Sequence, residues 1–355
     1  MDFQLLFSSI QVLLGLIFLM VVVNLYLVFR LKEIDPFAKW NPSLLNGGGF
    51  FAFYIIGMVA ATVSTIYYYP ELTLIVNPAS EHGVEIDRMF NNTMIVTILV
   101  VVVTNFVLFY YSFRYRTKPG RKALYYPHNN RLEVIWTVVP AIVLTVLVFD
   151  GVGVWHDIMS DPPEDAIQIE VNGKQFSWTY RYAGADQEFG ESNVTFINEG
   201  KGNELGINLD DKRGYDDLVT RELHLPVGVP VNLNIRTRDV LHSATLAHFR
   251  VKMDAVSGIT TNFHFVPTIT TREWRERTGD PEFNFQMSCQ QICGGGHWNM
   301  GAKVVVETME EYQDWLSSQQ TFLATYQGTN PDFKPDQNMA SESEEGTEKI
   351  ADAGL

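Results

Sequence analysis

Four long apolar stretches open the chain, and short alternating runs take over after residue 156. The apolar stretches cover about 5–29, 50–69, 94–113 and 134–154. Each approaches the roughly 20 residues that a helix needs to cross a bilayer, so a four-helix membrane anchor is predicted. The first begins MDFQ, without a basic residue, and is longer than the apolar part of a secretory leader; a retained helix is predicted. From 166 onwards the period is two. Ile167, Ile169 and Val171, then Phe176, Trp178, Tyr180 and Tyr182, take alternate positions in AIQIEVNGKQFSWTYRY. Val231, Leu233 and Ile235 repeat the pattern, and FHFVPTI, FNFQMS and AKVVVET add further strands. Many short alternating runs punctuated by Gly and Pro predict an all-β Greek-key sandwich or barrel. The polar 184–220 stretch reads as a surface excursion, 309–325 as a helix, and the acidic end as a disordered tail.

Charge follows the same division. The first 156 residues hold 10 of the 26 basic and 9 of the 41 acidic side chains, so essentially the whole net charge of -15 lies in residues 157–355. An apolar front and an acidic back suit a membrane anchor carrying a water-facing domain. Between the third and fourth stretches, residues 114–131 carry Arg114, Arg116, Lys118, Arg121, Lys122 and Arg131 with no acid among them. This loop is therefore expected on the cytoplasmic side of a bacterial inner membrane, with the β domain and both termini in the periplasm. The acidic domain offers no electrostatic footprint for nucleic acid. Only two cysteines occur, too few for a disulfide framework.

Both cysteines fall in SCQQICGGGHWNM, 288–300, which places Cys289, Cys293, His297 and Met300 within twelve positions. Two thiols outside a cytoplasm often form a disulfide, and spacing alone leaves that reading open. Met is not a usual ligand of structural zinc; thiolate, imidazole and a weak thioether suit electron-transfer copper. A mononuclear site would leave one thiolate over, whereas two thiolates can bridge two coppers with one histidine for each. The second histidine must come from elsewhere. His242, after the 231–237 strand, competes with His248 and His264.

DVLHS (239–243), KMDAVSG (252–258) and CQQICGGGHWNM (289–300) together resemble the copper-A domain of cytochrome c oxidase subunit II. NNRLEVIWTVVPAIVL (129–144) resembles that family's second anchor helix, and NGKQFSWTYRY (172–182) its aromatic strand. The resemblance implies a cupredoxin-like sandwich. It implies two copper ions bridged by Cys289 and Cys293, with His242 and His297 ligating one each, Met300 a weak ligand and the Gln291 carbonyl the remaining one. It further implies that Glu133 lies near the entrance of a proton path in the catalytic subunit; by position alone Glu133 is an ordinary carboxylate at a helix start. Three departures stand out, one being that the family usually has two anchor helices, so that residues 1–75 or so lie outside the match. Gln291 occupies a position where the family usually has a Glu that helps hold magnesium, which puts the magnesium in doubt. Phe176 aligns with the family's electron-accepting tryptophan, with Trp178 two residues on. Five segments are expected: an extra helix pair (1–75), the subunit II helix hairpin (76–156), the copper domain (157–308), a C-terminal helix (309–335) and the tail (336–355).

The resemblance thus implies an electron-transfer subunit that receives electrons from a c-type cytochrome and passes them to haem in oxidase subunit I, where oxygen is reduced. No CxxCH occurs, so the donor is a separate chain. Other oxidase subunits, or a quinol-oxidising complex, would contact the extra helices. The alternatives are a quinol oxidase subunit without copper and a membrane-anchored copper or thiol redox protein. Nitrous-oxide reductase, which also carries such a copper pair, needs a large further domain for which there is no room.

Overall fold

The structure is a computed structural model and describes residues 3–32, 41–68 and 77–335. It divides into two compact units, one of residues 1–71 and 95–130 and the other of 72–94 and 131–355. The tail expected at 336–355 lies outside the described residues.

The first unit is helical, with α1 at Phe3–Leu31, α2 at Pro42–Tyr68 and the second half of α3, Glu81–Arg114. Small residues let helices approach without help from water exclusion. Gly47 of α2 does this: a Cβ there would stand 3.4 Å from the Phe113 Cα of α3. An aromatic seam continues the contact. Tyr54 stacks on Phe109 at 5.4 Å between centroids, and its hydroxyl donates to the Val102 carbonyl at 3.2 Å.

Among the described helices, α2, α3 and α4 (Asn130–Met159) are long and apolar enough to cross a membrane. The apolar described part of α1, Gly15–Leu31, is shorter. The anchor is thus three long apolar helices and a shorter one. α3 begins thirteen residues before the span predicted at 94–113, because its polar first turns sit on the sandwich instead of in an apolar layer.

Among the described residues of the second unit, ten strands form two five-stranded sheets. They are β1 (Ile167–Lys174), β2 (Ser177–Tyr182), β3 (Leu218–Thr220), β4 (Leu223–Pro226), β5 (Val231–Thr237), β6 (His242–Leu246), β7 (Val251–Ala255), β8 (Thr261–Phe265), β9 (Phe285–Cys289) and β10 (Gly301–Glu307). One sheet runs β3-β2-β1-β5-β8 and the other β4-β10-β9-β6-β7. The alternation does what a period of two requires: Ile169, Val171, Trp178, Tyr180, Tyr182, Val231, Leu233 and Ile235 face inward from the first sheet. Leu223, Leu225, Ala244, Leu246, Phe285, Met287, Val304 and Val306 meet them from the second. Phe176 breaks the series; it lies in the turn between β1 and β2 and is 40% exposed.

Three features go beyond what the sequence pattern predicts. Helix α5, Thr271–Thr278, opens on a Thr270/Glu273 capping box. The helix expected at 309–325 is two, α6 (Met309–Ser318) and α7 (Phe322–Thr329), because the Thr321 hydroxyl caps a second start. The polar 184–220 stretch is tied down, since Leu205 and Ile207 pack with Phe322 and Tyr326 in a small core of their own.

Beside that core lies a buried ion network. Arg181, fully buried, donates through Nε to Asp217 at 2.9 Å and pairs through Nη1 with Glu170 at 3.2 Å. Its Nη2 also donates to the Gly190 carbonyl, and Arg236 pairs with Glu170. Removing one member of such a network strands the others without water. Arg181→Met should therefore cost about 3–5 kcal/mol, read from urea unfolding of the solubilised chain by tryptophan fluorescence. A loss below about 1 kcal/mol, the scale of an exposed pair, would contradict this account.

Candidate metal centre

Neighbouring strands bring the ligand types together. β9 and β10 are antiparallel partners, so the chain from Cys289 to Met300 must leave and return at one place; the Cys289 N–H donates to the Met300 carbonyl at 3.2 Å. β6 lies on the other side of β9, with Ala244 opposite Cys289, and its first residue is His242. The sequence pattern places His242 just after a strand; it starts the next one, in the opposite sheet.

The two thiols are free, and their sulfurs stand 3.9 Å apart. A disulfide would need about 2.05 Å. Two sulfurs on one tetrahedral metal with bonds of about 2.3 Å lie roughly 3.8 Å apart, so the spacing suits a shared metal. Each thiol has its own imidazole. His242 Nδ1 lies 3.8 Å from the Cys289 sulfur, and His297 Nδ1 lies 3.7 Å from the Cys293 sulfur. The Met300 sulfur is 3.7 Å from Cys293, and the Gln291 carbonyl oxygen is 3.2 Å from Cys289. His242, Cys289 and Cys293 are buried, with their ligand atoms within 4.8 Å of one another. This set is soft and nitrogen–sulfur rich, which fits copper far better than a hard oxygen-seeking cation.

The surroundings aim these groups. The His242 Nε2–H donates to Asp239 at 2.8 Å, which leaves Nδ1 free to face the sulfur. Burial works against the Asp239 carboxylate, but the Gln175 and Val240 N–H groups and His242 outweigh it and hold its pKa below the usual range. Burial pushes the Cys293 thiol up to about 11, and the adjacent Cys289 adds to the effect. Gly173 permits the packing of His242: a Cβ there would stand 3.1 Å from the His242 and Trp178 rings.

The other sequence candidates separate clearly. His248 is ringed by Trp274, Phe283 and Phe285 at 5.3 to 5.5 Å, and His264 lies on β8; neither joins the cluster. Trp178 is buried, 5.9 Å from the His242 ring. Phe176 lies over the ligand loop, so close that a Cβ on Gly296 would come within 2.5 Å of its ring. Gly294 and Gly296 thus make room for Phe176, while a Cβ on Gly295 would meet open space. Glu133 sits exposed in the first turn of α4, and the Gln291 side chain is exposed too. Asp239 and Gln175 are not evident as site residues from sequence. Asp239 carries a readable signal, an acid three residues before His242; Gln175, whose side-chain amide donates to the Cys293 carbonyl, carries none.

Comparison with known proteins bears on the family of the chain. The family "Cytochrome C oxidase subunit II, transmembrane domain" matches residues 71–152, and "Cytochrome C oxidase subunit II, periplasmic domain" matches 167–309. The alternative cytochrome c oxidase subunit 2 of Bradyrhizobium diazoefficiens is 37% identical over 239 residues, covering 67% of this chain and 81% of the relative. Cytochrome c oxidase subunit 2 of Thermostichus vulcanus is 27% identical over 271 residues, covering 70% and 79%. The crystal structure of the periplasmic domain of subunit II of cytochrome oxidase of Bradyrhizobium japonicum aligns at 20% identity and a TM-score of 0.30, over 44% of this chain and 96% of that one. Two family domains in order and a relative at that identity and coverage assign the chain: it belongs to the cytochrome c oxidase subunit II family.

Proposed function

We propose that this chain is the electron-accepting subunit of a respiratory haem–copper oxidase, with a dinuclear copper-A centre held by His242, Cys289, the Gln291 carbonyl, Cys293, His297 and Met300. The observation that carries the dinuclear reading is the doubling: two unbonded thiols 3.9 Å apart, each with its own imidazole nitrogen. Bound there, two coppers would supply a one-electron centre whose charge is shared across both thiolates. The chain's residues do the rest. Cys289 and Cys293 lose their protons to become ligands, Asp239 fixes the tautomer of His242, and the burial of Met300 and Cys293 keeps water off the sulfurs.

Phe176 offers the accessible aromatic surface beside the ligand loop, and its exposure supports it over the buried Trp178 as the contact for a separate c-type cytochrome. The acidic domain suits a basic donor. The acid-free basic loop at 114–131 supports a cytoplasmic placement for that loop and a periplasmic one for the copper domain and both termini, in a bacterial inner membrane. Glu133, exposed at the start of α4, is available to a proton path in subunit I. The exposed Gln291 amide lacks the charge that would favour magnesium at the subunit interface. The five segments at 1–75, 76–156, 157–308, 309–335 and 336–355 carry over as working boundaries, with the extra helix pair facing other oxidase subunits or a quinol-oxidising complex.

Metal analysis with paramagnetic resonance tests the reading: two coppers per chain and a mixed-valence signal are expected, and a copper-free protein of parental fold would refute it. His242→Ala should lose most copper, whereas Gln291→Ala should keep it, because the main-chain carbonyl remains; loss in both would contradict the carbonyl's role. Asp239→Asn should weaken copper affinity by about 10–100-fold while the ligand set stays whole, checked by competition with a copper chelator. The raised Cys293 pKa adds a pH dependence. Below it the free thiol is protonated, so copper must displace that proton, and affinity should fall as pH falls. Proton release on loading, followed with an indicator dye, measures this; loading without release would count against it.

A further inference from the structure

The start of α3 is seated on the sandwich, and the join is closely built. The Ala79 N–H donates to the His248 carbonyl at 2.8 Å, the Thr268 N–H to the Ala79 carbonyl at 2.9 Å, and the Ser80 hydroxyl to the Phe249 carbonyl at 2.6 Å. Ala79 and Ser80 are fully buried. Gly83 completes the join, since a Cβ there would stand 2.7 Å from Pro78 and from the Ser80 hydroxyl. Next to it Arg250, at a left-handed φ of 56°, grips Asp87 of α3 with two parallel bonds of 2.7 and 2.8 Å. The neighbouring Arg88 turns the other way and binds Asp150 of α4 at 2.9 and 3.2 Å. Consecutive α3 residues therefore tie one helix to the sandwich and to the second helix.

The tie leads to the metal ligands through main-chain ladders. Arg250 precedes β7, β7 pairs with β6 so that Ala255 faces His242, and β6 pairs with β9 at Cys289. We propose that the Asp87–Arg250 pair is a positioning element for onward electron transfer, fixing where the copper loop sits relative to α3 and α4, against which a haem-bearing subunit would dock. This rests on the electron-accepting reading above. Electron transfer through protein falls steeply with distance, so a sandwich that rocks on its helices transfers slowly even with its copper centre whole. A bidentate arginine–carboxylate pair restricts rotation as well as separation, which a single lysine contact would not.

The test uses the purified oxidase complex carrying Asp87→Ala, with an electron injected photochemically at the copper centre. The onward rate to haem should drop on the order of tenfold, while the copper spectrum and the donor KM stay parental. Exchanging the partners, Asp87→Arg with Arg250→Asp, should recover most of the rate, because aspartate tolerates the left-handed backbone at 250. A parental onward rate in Asp87→Ala overturns the proposal, as does loss of the copper spectrum together with the rate, which would assign the pair to folding alone. Should Asp87→Ala fail to assemble, the milder Asp87→Asn is read by the same criteria. A parent complex without a copper signal would defeat the electron-accepting reading itself; a parental copper signal with an unaltered onward rate defeats only the clamp.

Discussion

Two sulfur atoms held close but unbonded are the constraint on which the site depends. An oxidising surrounding favours their joining, so the fold has to hold them apart while keeping them side by side. It does so with sheet geometry. Cys289 is locked in the β9 ladder, Met300 returns beside it, and Cys293 is held on the intervening loop by Gln175. The ladder under this loop rests on Phe285 and Met287, both fully buried, so the loop stands on a close-packed floor.

The polar architecture is graded around that floor. Next to the ligands the Asp239 carboxylate accepts from His242 and from main-chain donors. The fixed charges concentrate elsewhere, in the network around Arg181 and on the acidic insert between β2 and β3.

Much of this was legible in the residues because two periodicities carry it. Apolar runs of membrane length and alternating strands such as Val231, Leu233 and Ile235 announce themselves, and the Cys-Cys-His-Met spacing narrows the metal. Choosing His242 over His248 and His264 needed the resemblance, since the neighbourhood of β6 and β9 in the second sheet, which puts His242 next to Cys289, leaves no trace in the spacing. The misses have a common physical origin. α5, β3, β4 and β7 are short, and their stability comes from partners distant in sequence: β4 pairs with β10, and α5 is started by its capping box. Phe176 follows the alternation of β2 yet sits in a turn, since a period of two does not reveal where a strand begins.

The small core that joins Leu205 and Ile207 to Phe322 and Tyr326 has a consequence for the order in which the domain matures. These halves lie on either side of the copper loop in the chain, and β4 likewise waits for β10. During vectorial synthesis the thiols therefore emerge before the scaffold that spaces them can close. For that interval nothing in the fold holds the two sulfurs at their native spacing, so the separation that defines the site is among the last features the domain acquires.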